Sequence, residues 1–140
     1  MPEPFRLFVP PPIATEKFLL VDSLPLHLAI PMGLVREVLL DAEVTRQDNR
    51  TTVEYRQHSV SVMLGNKACP AQKSVTLVLI VAEELKSGLL AIACSTLPKI
   101  IATTQNDLKP CAPLPAPWIS AEKGYTVGDI IYTCVQGLSK

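Results

Sequence analysis

An all-β fold, arranged as one barrel or a pair of barrels, is what the sequence predicts, and three observations predict it. About ten short apolar segments recur along the chain, separated by turn-forming residues. Most are rich in β-branched side chains and alternate with polar neighbours, the period of two that suits a pleated strand. Few stretches have the length and period of a helix.

Residues 1 to 16 carry Pro2, Pro4, Pro10, Pro11 and Pro12, so they cannot build helix and donate few backbone hydrogen bonds. They read as an extended tail lying over the surface, ahead of a folded domain spanning 17 to 140. Phe18 to Val21 and Leu26 to Ile30 are apolar runs joined by the turn-like Asp22-Ser23-Leu24-Pro25, which gives a hairpin. The segment Ile30 to Leu39 admits two readings. As a helix it would place Leu34, Val35, Val38 and Leu39 on one face behind Pro31; as a strand, Val35, Glu37 and Leu39 alternate with Leu34, Arg36 and Val38. Its β-branched surroundings and short, extended neighbours favour the strand.

Asp41 to Arg50 is charged and without period, which marks a surface loop. Thr51 to Tyr55 and Ser59 to Leu64 alternate Val53, Tyr55, Val60 and Val62 with polar residues, as a further strand pair. The connection Gly65 to Ser74, with Asn66 and Pro70, divides the chain into halves of similar strand count, one expected in each barrel. Val75 to Ala82 is nearly all apolar, the mark of a strand buried on both faces. Glu83 to Gly88 makes a tight connection to the apolar strand Leu89 to Cys94. Ile100 to Thr103 is a short strand, Gln105 to Pro117 a proline-rich loop, and Ile130 to Val135 a last strand.

A chain of 140 residues suits one domain that buries roughly two thirds of its unfolded surface. Thirteen basic and thirteen acidic residues balance, which removes the electrostatic basis for binding nucleic acid or an anionic membrane. Apolar runs such as Leu77 to Ala82 are far shorter than the roughly 18 residues a spanning helix needs, and the prolines of the first twelve residues break any signal-peptide core. A soluble, cytoplasmic protein is therefore expected. Cys69, Cys94, Cys111 and Cys134 form no C-x-x-C pair, so thiols are expected rather than disulfides, with Cys94 and Cys134 in core-like runs.

Two stretches carry a resemblance to a known family. Ala29-Ile30-Pro31-Met32-Gly33-Leu34-Val35-Arg36-Glu37-Val38 follows the pattern A-[LI]-P-[LIM]-x-x-V-R-E-V position for position, and VTLVLIVAEELKSGLLAIAC leads on to Asn106-Asp107-Leu108-Lys109-Pro110. On these the chain resembles CheW, the coupling protein of bacterial chemotaxis, and the CheW-like domain that ends CheA-type histidine kinases, over roughly residues 17 to 135. The resemblance implies two small five-stranded SH3-like barrels packed side by side, no catalysis and no cofactor. It implies an adaptor that couples a chemoreceptor cytoplasmic tip to a CheA-type kinase regulatory domain, or that binds another CheW-like domain. The family's N-L-R-G element is missing. The corresponding stretch runs from Tyr55 to Gly65, with Gln57 where the arginine would stand and Arg56 one place early, as in a shortened, divergent member.

By the same resemblance Val35 and Glu37 fall at partner-contact positions. Val35 is then an exposed apolar contact or a core residue. Glu37 pairs across an interface, pairs with Arg56, or is simply solvated. Trp118 either anchors a partner or caps a barrel end. His27 and His58 lack close-paired ligand neighbours, so no metal is expected. No G-x-S-x-G, G-x-G-x-x-G or Walker pattern is present. The alternative to an adaptor is a barrel unrelated to chemotaxis that binds a small ligand or another protein.

Overall fold

The computed structural model describes residues 15–47, 50–69, 74–83, 85 and 87–138. Nearly all of the tail expected over 1 to 16, and the middle of the 65 to 74 connection, lie outside them. The described chain is all-β. Its strands are β1 (Glu16–Ser23), β2 (Leu26–Pro31), β3 (Val35–Ala42), β4 (Thr45–Gln47), β5 (Arg50–Tyr55), β6 (His58–Leu64) and β7 (Lys67–Ala68). They continue as β8 (Val75–Val81), β9 (Leu89–Cys94), β10 (Lys99–Thr103), β11 (Lys109–Pro110), β12 (Trp118–Val127) and β13 (Ile130–Leu138).

Two sheets form. One has the order β10-β1-β2-β13-β12-β11, the other β3-β8-β9-β6-β5-β4 with β7 beside β6. Without the two- and three-residue strands β4, β7 and β11, each holds five full-length strands, as expected for two small barrels packed side by side. Each also contains one parallel pair, β2 with β13 and β6 with β9.

The division of the chain differs from the expected one. Strands on both sides of the 65 to 74 connection share the second sheet, while the first combines β1 and β2 with β10 to β13. The second barrel is thus contiguous in sequence and set inside the first. A strand count cannot show this, because pairing partners are chosen by which apolar faces meet.

Those faces explain the long apolar runs. Val78, Ile80, Leu90 and Ile92 of the second sheet meet Leu19, Val21, Leu28, Ile30 and Val135 of the first in one shared core. Leu77, Leu79, Ala91 and Ala93 turn the other way, into the second barrel, with Val53, Tyr55, Val60 and Val62. Phe18 and Leu20 turn into the first barrel with Ala29, Tyr132 and Cys134. β1 and β8 are therefore apolar on both faces because each separates two cores. The segment after Pro31 resolves as a single 3-10 turn, Met32–Leu34, followed by strand.

The barrels are also tied by polar groups. Gly65, buried at the end of β6 with φ +64°, donates its N–H to Ser23 Oγ at 2.7 Å. Its carbonyl accepts the Trp118 indole N–H at 3.0 Å. A β-carbon at Gly65 would lie 3.0 Å from Leu24 O and Pro25 Cδ, so glycine is required by both backbone angle and space.

Candidate partner-binding site

Among the described residues β3 is an edge strand, paired through β8 alone. Its register slips between Val35, opposite Ile80, and Glu37, opposite Leu79, which leaves Arg36 as the extra residue of a bulge. Val35, Glu37 and Leu39 are half-buried, whereas Arg36, Val38 and Leu40 face solvent. Val35 packs against the shared core, so it is not the fully exposed apolar contact of the first reading.

Glu37 reaches the hairpin between β5 and β6. The Tyr55 hydroxyl donates to Glu37 Oε1 at 2.8 Å, and Arg56 Nη2 lies 4.0 Å from the same oxygen. Arg56 also stands over the Tyr55 ring, 5.3 Å from its centroid. The hydrogen bond to the Glu37 carboxylate, followed by burial, pushes the Tyr55 phenol above its ordinary range. Arg56 and Gln57 occupy the two turn positions with φ +47° and +68°, the left-handed pair of a tight hairpin, and both are exposed.

Glu37, Arg56 and the adjoining turn residue Gln57 thus come together at one end of the second barrel, bordered by a shallow depression of about 310 Å³ that Arg36, Arg56, His58 and Leu89 help to line, while Val35 packs against the shared core. Chemically this end offers a half-exposed carboxylate steadied by a phenol, flanking guanidinium groups, and apolar Leu40 nearby on the strand's outer face. Such a set suits docking by a charged rim around apolar contact. As an exposed pair, Glu37 and Arg56 contribute only about 0–1 kcal/mol to stability. Tyr55 was not singled out from the sequence, although its place opposite His58 at the hairpin end follows from strand pairing.

Trp118 lies elsewhere. It is 4% exposed, begins β12 and belongs to the shared core, so anchoring a partner by direct contact is corrected to a role between the barrels. The proline-rich loop preceding it hid that role, because an aromatic after several prolines reads as surface.

A second polar cluster, also not foreseen, closes the turn between β1 and β2. His27 Nδ1 is 2.7 Å from Asp22 Oδ1, and Thr96 Oγ1 donates to Asp22 Oδ2 at 2.8 Å. The His27 and Tyr132 rings meet edge to face at 5.5 Å. Burial acts to raise the Asp22 carboxyl, but hydrogen bonds from His27, Thr96 and Tyr132 outweigh it and hold the carboxyl below its ordinary value. Among the described residues no group of three His, Cys, Asp or Glu side chains is placed to hold a metal ion.

No family model matches the chain, and no curated protein matches it by sequence. Structural comparison does find a likeness. The fold is similar to that of the scaffolding protein TtCheW from Thermoanaerobacter tengcongensis, with a TM-score of 0.61 and 12% identity over 88% of this chain and 90% of that one. At that identity the likeness is one of fold. It joins the two-barrel architecture of this chain to that of a scaffold across nearly the full length of both.

Proposed function

We propose that this chain is a non-catalytic, cytoplasmic CheW-like adaptor that couples a receptor to a histidine kinase in a chemotaxis-type or related two-component system. The observation that carries the reading is the shared two-barrel fold with a scaffolding protein over 88% of the chain. The β3 edge and the β5–β6 turn support it with a surface suited to docking: Glu37 on β3 meets Arg56 of the turn, and Leu40, further along β3, is 65% exposed. Among the described residues no helix is long and apolar enough to cross a membrane. The partners of this reading are a CheA-type kinase regulatory domain, a chemoreceptor cytoplasmic tip, or another CheW-like domain.

The test is retention of each candidate, taken from the same cell, on immobilised chain. Glu37→Arg is expected to abolish retention while moving the melting temperature by no more than about 4 °C, since it loses one hydrogen bond, from the Tyr55 hydroxyl, worth about 1 kcal/mol, and an exposed ion pair worth less. Glu37→Gln, which keeps an acceptor for Tyr55, separates loss of charge from loss of local order. Full retention by both variants would remove this surface from the reading, and failure of every candidate to bind wild type would remove the adaptor itself.

A further inference from the structure

The first barrel has a seam. β10 pairs with β1 alone, and β12 is covered by β11 only at Lys123 and Gly124, so from Tyr125 to Val127 its outer edge has no strand beside it among the described residues. Alternate side chains of these two edges, Leu97, Lys99 and Ile101 on one side and Tyr125 and Val127 on the other, line a single cleft of about 660 Å³ floored by Leu20 and Tyr132. The apolar lining continues the first barrel's own core, which holds five buried residues against ten in the second. Toward solvent it ends in exposed Leu97 and Val127, at 69% and 47%.

Of the two charged side chains on the cleft wall, Lys99 alone is without a hydrogen-bond or ion-pair partner among the described residues. Asp22 is also on its wall, but both of its oxygens are engaged, by His27 and Thr96. Lys99 forms no ion pair with any described residue. Among the described residues the cleft therefore presents apolar walls, two rows of backbone N–H and C=O groups with no strand beside them, and one cation without a partner. A small apolar ligand would fill the walls and leave the backbone rows to water. An extended peptide satisfies the rows as well, and its own side-chain alternation matches the lining.

We propose that the seam between β10 and the Tyr125–Val127 end of β12 takes an extended, apolar peptide strand of a partner protein, with a carboxylate set against Lys99. This surface lies on the opposite barrel from Glu37, so it stands or falls separately from the adaptor surface. Its length, five residues of β10, corresponds to a strand of about 17 Å.

The experiment uses the full chain and a fluorescein-labelled hexapeptide alternating valine and threonine with one glutamate, followed by anisotropy and by hydrogen exchange. Saturable binding is expected, with slowed exchange at amides within 99–103 and 125–127. Lys99→Glu is expected to weaken binding about fivefold, the scale of one exposed charge pair. On that variant a peptide with lysine in place of glutamate regains the loss. A peptide N-methylated at alternate residues, unable to pair, should not bind. The proposal is overturned by equal binding of the methylated peptide, by indifference to Lys99→Glu, or by absence of saturation. It is equally overturned if sodium decanoate saturates the cleft where the peptide does not, or if sedimentation shows the edges covered by a second copy.

Discussion

Replacing Gly65 with alanine tests how the barrels are held together. The backbone there has φ +64°, and a left-handed angle costs a residue with a β-carbon about 1–2 kcal/mol. The added carbon would also meet Leu24 O and Pro25 Cδ at 3.0 Å and Ser23 O at 3.1 Å. Two of these are backbone carbonyls of the β1–β2 turn, which cannot swing aside as a side-chain end can. Relieving the contact means moving Gly65 against the two hydrogen bonds it makes, to Ser23 Oγ at 2.7 Å and from the Trp118 indole at 3.0 Å. Each is worth about 1 kcal/mol net, so the whole loss should be about 2–4 kcal/mol. Gly88 supplies an internal control, since it too has positive φ, +75°, but its β-carbon would meet nothing within 4 Å. Gly88→Ala should therefore show the angular penalty alone. Urea unfolding of the two variants, read as midpoint and slope, measures the difference. Losses equal within about 0.5 kcal/mol would refute the idea that crowding at the β1–β2 turn joins the barrels.

Three further outcomes follow from the same geometry. Trp118→Phe removes the indole N–H that the Gly65 carbonyl accepts and should destabilise by about 2–3 kcal/mol in urea; the single tryptophan of the wild-type chain should emit at short wavelength until that transition. The Asp22 carboxyl sits below its ordinary 3.8 in the folded chain, so its contribution is complete above that value and fades as pH falls through the folded value. Asp22→Asn should flatten the acid limb of a stability–pH curve there and lower stability at neutral pH. Burial pushes the Cys94 thiol up to about 12 and Cys134 up to about 11, so native protein at pH 8 should leave both unalkylated by iodoacetamide, with labelling on unfolding read by mass spectrometry.

Much of the fold was legible because strand periodicity survives wherever one face is buried. The hairpin of β1 and β2, the β5–β6 pair, and β8 and β9 all lie where alternation or continuous apolarity puts them. β12 was missed, and its residues explain why. WISAEKGYTV has its register broken between Ile119 and Ser120 and again before Gly124, with Glu122 at φ +55°, so the period of two never runs long enough to be read. The short strand β4 lies inside the charged stretch 41 to 50 that reads as a loop, since three residues carry no period. At the candidate site, Glu37 with Arg56 was readable as a possible pair, whereas Tyr55 as their shared contact depends on hairpin register. The seam of the first barrel could not be read at all. It arises from which edges remain unpaired once distant strands have met, and that is a property of topology.

The nesting of one barrel inside the other has a consequence for synthesis. Residues from Val35 to Cys94 contain every strand of the second barrel, so that unit can close while the ribosome is still at work. The first cannot, because β2 must wait for β13, more than a hundred positions downstream, where Cys134 comes to lie beside Ala29. In the interval the leading hairpin can shelter Leu19 and Ile30 against Val78, Ile80, Leu90 and Ile92 of its already folded neighbour, but not yet against Val135. A message cut short before Trp118 would yield a polypeptide whose early hairpin never gains its last companions, a natural substrate for chaperones and proteases.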